Sequence, residues 1–304
     1  MTTIITKNSS TAGAIPTAGV LTQGELSVNV TDKKLYTKNA SGAVVGLGGD
    51  LTINNETAAD TVTLGLNAGI AINSSSTSNT FIGSSAGKTI TGAGTGHTAL
   101  GYKAMELSTL GTGHTAIGNT ALQNISSTNF CTAVGYSAGF NVTSGGLSST
   151  FIGMLAGSGI TTGTQNTCIG LQANPSSATA SYQFTLGNTD INTLRCNVTS
   201  ITSLSDARDK TAIVDTPYGL DFINTLQPRQ FQWATRDGNI KDGRVEQGFI
   251  AQELLEAAGD NKDKLNLVLE DNPNKLEASA GNLVPILVKA IQELTARVAE
   301  LENN

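Results

Sequence analysis

The chain has 304 residues with 34 glycines, only 5% aromatic and 14% charged residues, and a net charge of -6. That composition argues against a conventional globular core throughout and for something repetitive, and an acidic balance without a basic stripe excludes nucleic-acid binding. No segment is apolar enough to span a bilayer, and Met1-Thr-Thr-Ile-Ile-Thr-Lys7 lacks the basic start and apolar run of a secretory signal, so a soluble product made in a cytoplasm, with no membrane insertion, is expected.

The first module is placed at residues 1–50. Alternating Leu26, Val28 and Val30, then a turn at Asp32-Lys33-Lys34 and Leu35-Tyr36-Thr37, predict a β-hairpin. The phrases Gly24-Glu-Leu-Ser-Val-Asn29 and Asp32-Lys-Lys-Leu-Tyr36 resemble a module near the start of many phage fibre proteins, which implies virion attachment or fibre folding. On the residues alone, a β-cap closing the neighbouring shaft fits equally.

Residues 51–190 are repetitive. Thr, one variable residue, Ile/Leu/Val and Gly recur at Thr80–Gly83, Thr98–Gly101, Thr115–Gly118, Thr132–Gly135, Thr150–Gly153 and Thr167–Gly170, with weaker copies ending at Gly65 and Gly187. Successive glycines are 17 or 18 residues apart, and an alanine follows each of the first seven three positions later, from Ala68 to Ala173. A unit this short cannot bury its own apolar face and must stack on its neighbours, which predicts a β-solenoid. With one or two apolar side chains per coil, several chains are expected to wind together, as a homotrimer. The phrases Asn79-Thr-Phe-Ile-Gly83 and His114-Thr-Ala-Ile-Gly118-Asn-Thr-Ala121 resemble repeats in the β-roll heads of trimeric autotransporter adhesins and in phage fibre shafts, which implies trimeric stacking.

His97 and His114 share a slot four residues before the glycine, where other copies carry Asn79, Cys131, Ser149 and Asn166. The slot reads as a polar position satisfied by backbone or water, with an anion or metal site as the alternative, and no metal or cofactor is expected. Cys131, Cys168 and Cys196 are too widely spaced for a zinc or redox motif and are expected to be buried thiols. Glu106 is the sole carboxylate between residues 61 and 189, which argues against a glycan-cleaving shaft, because glycosidases use a pair.

A neck, 191–204, leads to an abrupt change at Ser205: 7 basic and 7 acidic residues precede it, 11 and 17 follow from there on. Residues 205–304 predict a small α+β unit. A short helix over Asp221–Leu226 stops near Pro228, Phe231-Gln-Trp233 forms a strand, and Ala251–Ala258 forms a helix ending at Gly259. Val284, Leu287, Ile291, Leu294, Val298 and Leu301, spaced 3, 4, 3, 4, 3, form an a/d seam that predicts a parallel coiled coil. The a/d chemistry taken alone leans toward two strands, and an end helix packed on its own domain would give a similar stripe. The fold class is therefore a mainly β trimeric fibre of stacked ~17-residue β-repeats, followed by a small α+β domain ending in a coiled-coil helix.

Four phrases in order, Ser205-Asp-Ala-Arg-Asp-Lys210, Leu226-Gln-Pro-Arg-Gln-Phe-Gln-Trp233, Gly248-Phe-Ile-Ala-Gln-Glu253 and Leu283-Val-Pro-Ile-Leu-Val-Lys-Ala-Ile-Gln-Glu-Leu294, resemble the intramolecular chaperone domain of phage tailspikes and fibres, a family of self-cleaving peptidases. The resemblance implies that the domain trimerises, templates the shaft and is released by autoproteolysis between Leu204 and Ser205, with Ser205 as nucleophile and Lys210 as its activating partner in a serine endopeptidase. A lysine accepts a proton only when neutral, which takes burial or a neighbouring cation; Arg208 is the cation at hand, while Asp206 and Asp209 pull the other way, so either they point away from Lys210 or they orient the site and pair with Arg208 across chains. Ser205 and Asp206 also fit a plain helix cap. The expected whole is a virion tail fibre, assembled in the host cytoplasm, that meets phage tail or baseplate proteins and a host cell-surface receptor, a glycan. The alternative is a trimeric structural adhesin whose terminal domain is never cut.

Overall fold

The computed structural model describes residues 7–31, 34–47, 60–91, 94–144, 148–197, 201–236, 238 and 240–303. Residues 1–6, the Asp32-Lys33 part of the predicted turn and the 50/51 boundary lie outside them. Leu26–Asn29 and Lys34–Lys38 pair antiparallel, and Val44–Leu47 adds to the second of them. Lys7–Ser9 runs parallel to Leu26–Asn29 and completes a four-stranded sheet that the alternation did not foretell. The Gly-Glu-Leu-x-Val-Asn phrase has local reasons. Glu25 accepts hydrogen bonds from the Thr22 backbone at 2.8 Å and from Lys7 at 2.9 Å, which hold its carboxyl below the usual range. The buried Asn29 amide donates to the carbonyls of Thr11 and Ala14, each at 2.9 Å.

The repeats form a single ladder of eight parallel strands, from Val62–Leu64 through to Phe184–Leu186. Equivalent residues lie directly over one another, Thr80 on Thr98 on Thr115 on Thr132 on Thr150 on Thr167. Each strand is three residues long, so pleating turns its middle residue inward and its two flanks outward. The buried residue is therefore the variable one (Phe81, Ala99, Ala116, Ala133, Phe151, Cys168), joined inside by the alanine row and by Ile90, Met105, Leu122, Ile125, Val142 and Ile160. Several apolar side chains thus fill each coil, more than the one or two expected. The recurring Ile/Leu/Val faces outward, and Leu64, Leu100, Ile152 and Leu186 are exposed.

Packing inside is compensated in volume. Phe81 and Phe151 are matched by Gly87 and Gly157 just after the alanine of their coil, where a Cβ would strike the ring. Where the middle residue is Ala99 or Ala116, that same slot carries Met105 or Leu122, buried and held at φ 54° and 49°. Such left-handed backbone costs a bulky residue about 1–2 kcal/mol, and filling the core offsets it. The repeat glycine answers a different demand. Gly118, at φ +134°, lies so close to the next coil that a Cβ would run into the Gly135 carbonyl, while its own N–H donates to Leu100 of the preceding coil at 2.8 Å.

The polar slot forms an internal spine. Asn79 Oδ1 accepts the His97 N–H at 2.9 Å, His97 Nδ1 accepts the His114 N–H at 3.2 Å, and His114 Nδ1 accepts the Cys131 N–H at 3.1 Å. The two imidazoles stack at 5.1 Å, tilted by only 8°. Burial, then the neighbouring His114, push His97 down to about 4, with the Gly111 backbone acting the other way. Of the cysteines, Cys131 and Cys168 are buried, and burial pushes the Cys168 thiol up to about 11. Cys196 corrects the expectation: it is exposed, because it lies past the last coil where nothing stacks on it.

In the last hundred residues Arg229–Gln232 pairs antiparallel with Val245–Gly248, and Val268–Leu269 with Glu277–Ala278. The first helix spans Leu220–Ile223, closing three residues earlier than predicted, and Ala251–Ala258 is helical with Gly259 at its end. Leu226, Leu254, Ala258, Leu265, Leu267, Leu283 and Ile286 form the core. The terminal helix, Val284–Glu302, turns Ile286 and Ala290 inward, and its Glu293 accepts the Leu220 N–H at 2.7 Å. All six residues of the predicted seam remain exposed. The helix therefore packs on its own domain with a different stripe.

Candidate functional site

Residues 201–215 are all exposed, and their one regular element is a single 3-10 turn, Ala207–Asp209. Asp206 makes that turn. Its Oδ1 accepts the Arg208 N–H at 2.9 Å, and the Asp206 and Ala207 carbonyls accept the N–H groups of Asp209 and Lys210, each at 3.2 Å. The Arg208 guanidinium folds back onto the same carboxylate, with Nη2 at 2.6 Å from Oδ2. This bond holds the Asp206 carboxyl below the usual range and raises Arg208. The pairing lies within one chain, between residues two apart.

The turn returns Lys210 to the residue before it. Lys210 Nζ lies 3.4 Å from the Ser205 carbonyl oxygen and donates to Ser205 Oγ. Beside this pair Leu204 is fully exposed, at 102% of its reference area. Hydroxyl, amine and an accessible peptide bond therefore share one turn of chain. The arrangement departs from expectation in two respects: no dry pocket encloses the lysine, and Arg208 is committed to Asp206 rather than to Lys210. Both stem from locality, since a five-residue turn on the surface of one chain has nothing to bury it. Asp209 lends the turn its backbone.

Among the described residues no group of three or more His, Cys, Asp or Glu side chains converges as a metal site, and no helix is long and apolar enough to cross a membrane. His97 and His114 serve the internal spine. Sequence reasoning missed a row of residues five before each glycine, Ser78, Phe130, Ser148, Gln165 and Tyr182 among them, all at positive φ. Their fixed distance from the glycine was the available signal.

Residues 205–262 match the peptidase family described as the chaperone of endosialidase. A 52-residue stretch is 44% identical to the long tail fiber protein Gp37 of Enterobacteria phage T2, covering 16% of this chain and 4% of that protein. No solved structure matches. The family match, the relative and the β-solenoid fit a phage tail fibre with a carboxy-terminal chaperone domain.

Proposed function

We propose that this chain is a host-adhesion fibre of a phage virion, assembled in the host cytoplasm, whose residues 205–304 trimerise, template folding of the 51–190 shaft, and are then released by self-cleavage between Leu204 and Ser205. The 1–50 module joins the tail or caps the shaft. The observation that carries the reading is the meeting of Ser205 Oγ and Lys210 Nζ beside the exposed Leu204–Ser205 bond, at the first residue of the family match. Two unpartnered apolar surfaces support association of like chains: the heptad seam of the terminal helix and the outward row of the ladder.

The chemistry is set by the position of the nucleophile. Neutral Lys210 takes the Ser205 hydroxyl proton, and Oγ attacks the Leu204 carbonyl carbon. As the C–N bond breaks, the proton passes to the Ser205 nitrogen, leaving an ester between Leu204 and Ser205 Oγ. Water then cleaves the ester, yielding a Leu204 carboxylate and restoring the hydroxyl. Covering of the 201–215 segment by neighbouring chains supplies the dry surroundings that a neutral lysine needs. Among the described residues the polar contacts that release must part between shaft and terminal domain within one chain join Asp271 to Gln183 at 2.7 Å and to Ser176 at 3.3 Å, and Asn272 to Ser176 at 3.0 Å.

Denaturing gels and intact mass of the purified protein should show two fragments, the smaller beginning at Ser205, while Ser205→Ala stays whole and trimeric. Residues 1–204 produced alone should aggregate or remain monomeric, whereas the same fragment made by cleavage stays trimeric. An uncut wild-type trimer after prolonged incubation refutes the peptidase. It leaves the second reading, a permanent trimeric adhesin, which the open surroundings of Lys210 favour.

A further inference from the structure

The row five residues before each repeat glycine runs down one corner of the solenoid, in left-handed backbone. Two earlier copies place Gly96 and Gly113 there, where φ of +68° and +67° is expected. Later copies carry Phe130, Ser148, Gln165 and Tyr182, at φ 58°, 55°, 53° and 63°. An aromatic residue in this region is costly and persists where the surrounding structure or a ligand makes use of it. Neither ring is buried: Phe130 is 61% exposed and Tyr182 77%. Core filling, which accounts for Met105 and Leu122, does not account for them.

The two rings bracket a shallow groove of about 360 Å³ lined by Asn129, Phe130, Ser148, Thr164, Gln165 and Tyr182. They stand three coils apart, about 14 Å at the usual inter-strand spacing of about 4.8 Å. Between them lie hydroxyls and a carboxamide. Phe130 is held in place from below, since a Cβ on Gly113 would touch its ring, and the Phe130 and Tyr182 N–H groups bond to the preceding coil at Thr112 and Thr164, at 2.9 and 3.0 Å. The Tyr182 phenol is the sole ionisable group in the lining, and the charged residues between 61 and 189, Lys88, Lys103 and Glu106, belong to earlier coils.

We infer that this corner groove binds a neutral oligosaccharide, with Phe130 and Tyr182 stacking on the C–H faces of sugars at its two ends and Ser148, Gln165, Asn129 and Thr164 bonding the hydroxyls between. Sugars present an apolar face and a polar rim, and exposed rings spaced along a row of small polar groups match both at once. The span suits a chain of sugars rather than one. Lack of charge selects against acidic glycans, for which no cation is at hand. The inference rests on the adhesion reading and gives it a location.

Probing the intact protein against an array of defined neutral and acidic oligosaccharides tests it. The double variant Phe130→Gly/Tyr182→Gly recreates the residue already present at Gly96 and Gly113, so the backbone is kept. The wild type should be retained on at least one neutral oligosaccharide, and the double variant should lose retention at least tenfold with its oligomeric mass unchanged. Retention by the double variant equal to wild type, binding confined to acidic glycans, or no binding at all overturns the site. Dissociation of the double variant into single chains overturns it too, by showing that the rings are a contact between copies. Cleavage at Leu204, read on the same samples, reports separately on the fibre and chaperone reading.

Discussion

Acid should loosen the shaft at one place, the stacked pair of His97 and His114. His97 is 1% exposed, and its imidazole is pushed from 6.5 to about 4 in the folded chain, first by burial and then by His114. Between those values the unfolded chain holds more protons, so the contribution is complete above the unfolded pKa and is lost as pH falls toward the folded one. The full difference is worth about 3 kcal/mol per chain, of which about 2 kcal/mol is lost by pH 5. For a chain of this length that corresponds to a fall in Tm of roughly 3 °C, and the ratio is the same for three chains unfolding together. His97→Asn isolates the effect, since Asn79 and Asn166 occupy the same slot and use Oδ1 to accept the next coil's N–H. Thermal melts of wild type and variant at pH 7 and pH 5, at one scan rate, give the double difference. An equal drop in both proteins would refute the assignment of acid sensitivity to this imidazole.

Other outcomes are equally specific. Gly118→Ala should cost about 2–3 kcal/mol or more through strained backbone and collision with Gly135, while Gly281→Ala, with open space around it, should leave Tm unchanged. Phe151→Ala should cost about 3–5 kcal/mol as a cavity, and adding Gly157→Leu should recover part of it by imitating the Ala116/Leu122 pairing; a double variant no better than the single one refutes the volume argument. Ile291→Asp with Leu294→Asp should yield monomers by ultracentrifugation without loss of helix signal, because both side chains are exposed in the single chain. Lys210→Ala should slow cleavage as severely as Ser205→Ala, and wild-type speed would exclude it as the base.

The ladder was legible because a solenoid writes the same chemistry once per coil, and Thr-x-Ile-Gly reports the strand and its turn directly. Which strand residue faces inward was not legible. Thr and Ile flank a variable centre that is Phe in two coils and Ala in three, and three residues are too few to display an alternation. The compensation between Phe81 and Gly87, or Ala99 and Met105, becomes visible only once the two rows are known to touch. The terminal helix was plain from its heptads, but its inward stripe of Ile286 and Ala290 lies outside that pattern. At the junction, the motif singled out Ser205 and Lys210, whereas the bond from Arg208 to Asp206 is a matter of turn geometry, which composition does not encode.

Identical residues standing on one another also make the shaft a ruler. Each coil touches the coil before and the coil after, so loss of residues 115–131, a span of 17, would set Thr98 over Thr132 and leave His114 immediately before a threonine, as it is now. The molecule would shorten by one rung, about 4.8 Å, and the strand ladder would stay in register, while Leu122 and Phe130 would leave with the lost coil. Gene rearrangements that drop or duplicate whole units can therefore change the length of the shaft while leaving the amino-terminal sheet and the terminal domain untouched.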